Sequence, residues 1–143
     1  MSVKQISVFL ENKPGTLNAM TNVLTKHNVD LRALSLAETT DFGIARFIVG
    51  NTLETVTILK EEGYISSLTP VIAAEIADKP GALNEVLQIL TDNQINVEYM
   101  YASLGSKNGT AYMIFRVQDY KKAAAALESA HVRVLSQEDL AEI

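Results

Sequence analysis

The chain has 143 residues, nearly half of them apolar, with a formal net charge of −5 and no cysteine. That is enough apolar material to bury a core, and it excludes disulfides, thiolate catalysis and thiolate metal sites. The acidic balance, with no basic run longer than Lys121-Lys122, speaks against a phosphate-backbone partner.

Residues 4–10 alternate, with Ile6, Val8 and Leu10 on one side, which predicts a strand. Pro14 then fixes the chain and Gly15 permits a tight corner into a helix. Leu17, Met20, Val23 and Leu24 recur at helical spacing, so this helix turns one apolar stripe inward. A second strand is expected over Asp30–Ala37 and a polar turn over Glu38–Phe42. A third strand at Ile44–Val49, a helix at Leu53–Glu62 and a last strand at Tyr64–Leu68 follow.

The pattern then repeats. An offset of 66 residues places Lys13-Pro14-Gly15 on Lys79-Pro80-Gly81, Leu17-Asn18 on Leu83-Asn84, Leu24-Thr25 on Leu90-Thr91 and Gly43 on Gly109. No gap is needed from residue 5 to residue 49, after which an offset of 68 fits better. The second half accordingly reads as a helix with Leu83, Val86, Leu87 and Leu90 inward and a strand at Asn96–Leu104. A turn at Gly105–Asn108, a strand at Thr110–Val117, a helix at Asp119–Ala130 and a strand at Val132–Leu135 complete it. The order β-α-β-β-α-β, twice, is the ferredoxin-like sandwich. The fold class is therefore α+β, with two such modules at 1–69 and 70–143. The join Ser66–Pro70 holds no flexible linker, so the modules are expected to pack together. Leu140 and Ile143 in the tail 136–143 could add an edge strand.

The duplicated loop is the candidate site. A strand stops, a rigid Pro-Gly corner follows and a helix begins, so the first helical N–H groups face outward without intrahelical partners. They and the helix dipole favour an anion such as a carboxylate. Asn12 and Asp78 stand just before the corners, and Asp30 and Asn96 begin the second strands. Their oxygens suit the ammonium of a zwitterion. Pro-Gly can equally be a plain helix-start corner, and Asp or Asn an ordinary turn residue. His27 and His131 close helices and are expected to cap them. No nucleophile-base-acid arrangement and no metal-ligating set stands out, so no catalysis, metal or cofactor is expected. Tyr99 and Tyr101 share a strand face and are read as packing residues, Arg32 and Arg46 as ion-pair or subunit-contact residues.

Glu11-Asn12-Lys13-Pro14-Gly15-Thr16-Leu17 with Asn28-Val29-Asp30-Leu31 resembles the ACT domain signature. So does Asp78-Lys79-Pro80-Gly81-Ala82-Leu83 with Ile95-Asn96-Val97-Glu98. The resemblance covers nearly the whole chain. It implies non-catalytic regulatory modules that bind a free amino acid where two modules meet and signal to a partner enzyme or regulator. By analogy with the serine-binding ACT domain of phosphoglycerate dehydrogenase, the ligand contacts would fall on Asn12 with Asp30 and on Asp78 with Asn96. The backbone at Gly15-Thr16-Leu17 and Gly81-Ala82-Leu83 would hold the carboxylate. That domain also uses a His where Leu10 and Ile76 stand here, so its side-chain specificity does not transfer. Related ACT proteins form homodimers, and exposed strand edges would allow one here. The N-terminus carries no signal core and no run approaches the roughly 18 apolar residues of a membrane helix, so a cytoplasmic protein is expected.

Two other readings share the element order. Asp41-Phe42-Gly43-Ile44-Ala45-Arg46-Phe47 faintly resembles the third-strand motif of the RNA-recognition motif. It begins on an acid, however, where that motif keeps a basic residue. A structural regulatory subunit with no metabolite ligand is the third.

Overall fold

A computed structural model describes residues 2–143. The chain divides into two compact units, Lys4–Thr69 and, with Val3, Pro70–Ile143. They are called here the N- and C-terminal modules.

The N-terminal module runs β1 (Val3–Glu11), α1 (Thr16–Lys26), β2 (Leu31–Glu38), β3 (Phe42–Val49) and α2 (Thr52–Glu61). Its strand order places β1 beside β3 and β3 beside β2, all antiparallel. A last segment joins β1 on the other side, where the Phe9 N–H donates to Ile65 O at 3.2 Å. The alternation read in β1 is the reason for its two faces. Ile6, Val8 and Leu10 point into a core with Met20, Leu24, Phe47 and Leu59, whereas Phe9 lies on the opposite face.

The strand expected at Tyr64–Leu68 and the first strand of the second half are one continuous strand, β4 (Ser66–Ala77). Pro70 lies within β4, but the ladder of β4 with the strand Thr110–Arg116 begins at Ile72. Its missing N–H therefore costs no bond in that ladder. The C-terminal module continues with α3 (Ala82–Asp92), β5 (Tyr99–Ala102), β6 (Thr110–Arg116), α4 (Tyr120–Ser129), β7 (Val134–Leu135) and α5 (Gln137–Ala141). Its order is β5-β6-β4-β7, again antiparallel. Ile72, Val86, Leu90, Phe115 and Leu127 share its core. Tyr101 and Tyr112 are buried on the face away from the helices.

The duplication extends to backbone conformation. Gly15 and Gly81 both take φ 88, and Asn28 and Gln94, which follow the first helix of each module, take φ 56 and 58. His27 closes α1 with Nδ1 3.0 Å from Val23 O, and Asn93 closes α3 by donating to Ile89 O at 2.8 Å.

The structure departs from three expectations. The change of offset falls earlier than Val49: Ile6 pairs with Phe47 while Ile72 pairs with Phe115, so β3 and β6 are related by 68 residues. The two extra residues sit in the β5–β6 connection. A two-residue shift keeps every side chain on its own face, which is why the identities at 66 gave no warning. The tail forms a helix, α5, rather than an edge strand. Ser136 and Asp139 make a reciprocal capping box, Leu140 is buried, and Arg133 holds Asp139 at 3.6 Å. The two Ser136 bonds keep the Asp139 carboxyl below the usual carboxylate range. β5 also begins later than expected, so Asn96 lies in the connection before it.

Candidate functional site

Among the described helices, α2, α4 and α5 each have a side-chain cap, from Asn51, Asp119 and Ser136. The helices after the repeated loop do not. Gly15 starts α1 and Gly81 starts α3 in left-handed conformation, and neither can offer a side-chain bond. The Thr16 N–H turns back to Lys13 O at 3.4 Å and the Ala82 N–H to Lys79 O at 3.3 Å, and no side-chain oxygen caps the first turn of either helix. A Cβ at either glycine would meet nothing within 4 Å, so space lies open before both helix starts.

In the N-terminal module this start forms one wall of a cavity of about 110 Å³. Leu10, Asn12, Gly15, Leu17, Leu36 and Glu38 are among its lining residues. That volume is well below the roughly 300 Å³ at which small-molecule pockets begin. It suits the polar head of a small ligand, and the remainder must be covered from elsewhere. Leu36, on β2, is 53% exposed and gives the cavity an apolar flank.

Asn12 has a second task that its sequence context does not reveal. Its Nδ2 donates to Glu38 Oε2 at 3.1 Å and Thr39 O at 3.0 Å, and its N–H donates to Asp41 O at 3.0 Å. It therefore pins the β2–β3 turn against the loop, and Oδ1 is the atom left to accept from a ligand ammonium. The Thr16 hydroxyl is used in closing the loop, with Glu11 O at 2.7 Å and Lys13 O at 3.1 Å. Lys13 pairs with Glu11 at 2.8 Å in full solvent, which holds the Glu11 carboxyl below its ordinary value and the Lys13 ammonium above it. Leu17 packs against the core and also lines the cavity.

Asp30 lies at the other end of α1, where it is exposed and pairs with Arg32 at 2.7 Å. An 11-residue helix separates it from Asn12, a length of about 16 Å at 1.5 Å per residue. Within one module the two residues do not meet.

The C-terminal loop repeats the frame with fewer polar groups. The Asp78 N–H donates to Gly109 O at 3.0 Å, and the Glu85 N–H to Gly81 O at 3.0 Å. Ala82 replaces Thr16 and is buried, so no hydroxyl closes this copy, and Leu83 packs against the core. Asn96 again falls at the far end of its helix. There it lines a polar cavity of about 400 Å³ with Gln94, Glu98, Gln118, Asp119 and Lys122. Sequence reasoning missed Leu36, Glu38 and the 39–41 turn, which reach the first loop only through the β1–β3 and β2–β3 pairings.

The model of the ACT domain pair matches residues 1–143. The chain belongs to the ACT domain family. It is similar over its whole length to protein BT0572 from Bacteroides thetaiotaomicron, with 36% identity and a TM-score of 0.93, covering 98% of that chain. The fold is shared at 17% identity with the regulatory subunit of aspartate kinase from Thermus thermophilus, over 90% of each chain and with a TM-score of 0.68. The corresponding Thermus flavus subunit gives 14% identity, 90% and 92% coverage and a TM-score of 0.62. No curated protein matches the chain. Among the described residues of this ACT pair, no helix is long and apolar enough to cross a membrane.

Proposed function

We propose that this ACT pair is a non-catalytic amino-acid sensor whose ligand state is read by a partner enzyme or regulator. The observation that carries this reading is the pair of uncapped, left-handed-glycine helix starts, in a chain whose other helices carry side-chain caps. The N–H groups at Gly15-Thr16-Leu17 and Gly81-Ala82-Leu83 receive the ligand carboxylate. Asn12 Oδ1 and the Asp78 carboxylate accept from its ammonium. Asp30 and Asn96 stand a helix length away, so they serve a ligand held by the loop of a different module. Such a ligand is divided between two modules, in keeping with the small volume of the loop cavity. The fold shared with aspartate kinase regulatory subunits supports a regulatory role. No cofactor enters this reading, and a cytoplasmic setting, where free amino acids are the metabolites to be sensed, is its natural place.

A panel of the twenty amino acids in thermal-shift assays tests it. One or a few ligands raise the midpoint, because a ligand bound by the folded state alone stabilises it. Asn12→Ala combined with Asp30→Ala removes the part of the shift that arises at those residues. Absence of any shift at millimolar ligand would sink the sensor reading.

A further inference from the structure

Strand register matches the surroundings of the two loops position by position. Leu36 pairs with Ala45 as Ala102 pairs with Met113, so Glu38, two residues after Leu36, corresponds to Leu104, two after Ala102. The Asn12 N–H donates to Asp41 O as the Asp78 N–H donates to Gly109 O, which makes Asn12 and Asp78 counterparts. The N-terminal module thus has an amide on its loop and a carboxylate at the end of β2. The C-terminal module has a carboxylate on its loop and a leucine at the matching place after β5. Two acids, Glu11 and Glu38, line the N-terminal cavity. Glu11 is paired with Lys13 at 2.8 Å and has Ala77 as its counterpart, whereas among the described residues no ion pair engages Glu38. Of the C-terminal positions matching that lining, Asp78 is the one acid. Each loop therefore has one carboxylate outside an ion pair, and the two modules supply it from different residues.

Neither acid serves its helix, since no side-chain bond reaches the first turn of α1 or α3. An unpaired acid beside a carboxylate-binding helix start repels a plain carboxylate ligand, whereas a zwitterion can lay its ammonium against it. The Asn12 Nδ2 bond to Glu38 Oε2, 3.1 Å long, orients this carboxylate without neutralising it. It leaves Oε1 and a further lone pair of Oε2 free to accept. We infer, on the amino-acid reading above, that Glu38 supplies the charge that recognises the ligand ammonium in the N-terminal module. Asn12 orients it and adds Oδ1 as a neutral acceptor, and in the C-terminal module Asp78 supplies the charge from the loop itself. The ligand class that follows is an amino acid with a free ammonium group, not its des-amino analogue.

Amide NMR of the full chain separates the two loops. The parent and its variants are titrated with each of the twenty amino acids to millimolar concentration, and Kd at the first loop is read from residues 15–18. Glu38→Gln keeps an acceptor for Asn12 and removes only the charge. It weakens binding there by about tenfold, the difference between a charge-assisted and a neutral bond, and residues 81–84 respond as before. Glu38→Leu weakens it at least as much. Glu38→Leu combined with Asn12→Asp, the arrangement of the sister loop, restores Kd to within about threefold of the parent. Glu38 is exposed, so these variants keep the fold, which unshifted amides in the core strands report. A Glu38→Gln chain that binds like the parent overturns the inference, as does a combined variant that binds no better than Glu38→Leu. In both cases the parent still responds at residues 15–18. A parent in which no amino acid moves either loop removes the amino-acid reading itself, and the role of Glu38 with it.

Discussion

Phe47→Ala is expected to remove about 3–5 kcal/mol from the N-terminal module, the usual cost of deleting a buried aromatic ring. Phe47 is fully buried among Ile6, Met20, Leu24 and Leu59, where helix and sheet meet. A module of this size has a total stability of only a few to about 10 kcal/mol, so the loss is enough to leave it largely unfolded. Phe115 holds the corresponding place in the C-terminal core, paired with Ile72 as Phe47 is with Ile6, and Phe115→Ala should cost the same. Urea titration of each variant, followed by circular dichroism, measures the loss. A change below about 1 kcal/mol would mean that Phe47 does not occupy a close-packed position.

The second large effect concerns the repeated glycines. Gly15→Ala places a Cβ where nothing lies within 4 Å, so its cost is backbone strain and not a clash. At φ 88 that strain is about 1–2 kcal/mol for an L-residue, and Gly81→Ala should match it. The strain can be relieved only by turning the helix start, which redirects the N–H groups proposed to hold a carboxylate. The double variant Gly15→Ala with Gly81→Ala is therefore expected to lose the amino-acid-dependent thermal shift while remaining folded. A folded double variant with an undiminished shift would place the ligand elsewhere.

Much of this fold could be read before the structure, for identifiable reasons. β1 and the two loop-linked helices announce themselves because Ile6, Val8 and Leu10 alternate while Leu17, Met20 and Leu24 follow the helical period. The repeat supplied a second, independent copy of each inference. What escaped depends on contacts distant in sequence or on compensations local to one residue. The ladder partners of β4 from Ile72 onward make Pro70 tolerable, and nothing in residues 66–70 signals this. α5 is a single short helix whose capping residues, Ser136 and Asp139, lie in a stretch too brief to show a period. Within the site, the loops and their glycines were legible because left-handed corners need glycine. Asn12's hold on the 38–40 turn spans 26 to 28 residues of chain and could not be read locally. The whole of α1 separates Asn12 from Asp30, so the pair that the spacing joins is not brought together within one module, and the proposed sensor uses the two residues at different ligand sites.

In the proposed sensor both loops receive a carboxylate on backbone N–H groups. Two-dimensional amide NMR of the chain, titrated with the amino acid that gives the largest thermal shift, tests it most directly. The largest shifts are expected at the amides of residues 15–18 and 81–84, with Asn12 and Asp78 moving alongside them. Saturable shifts confined to residues outside these two loops would contradict it.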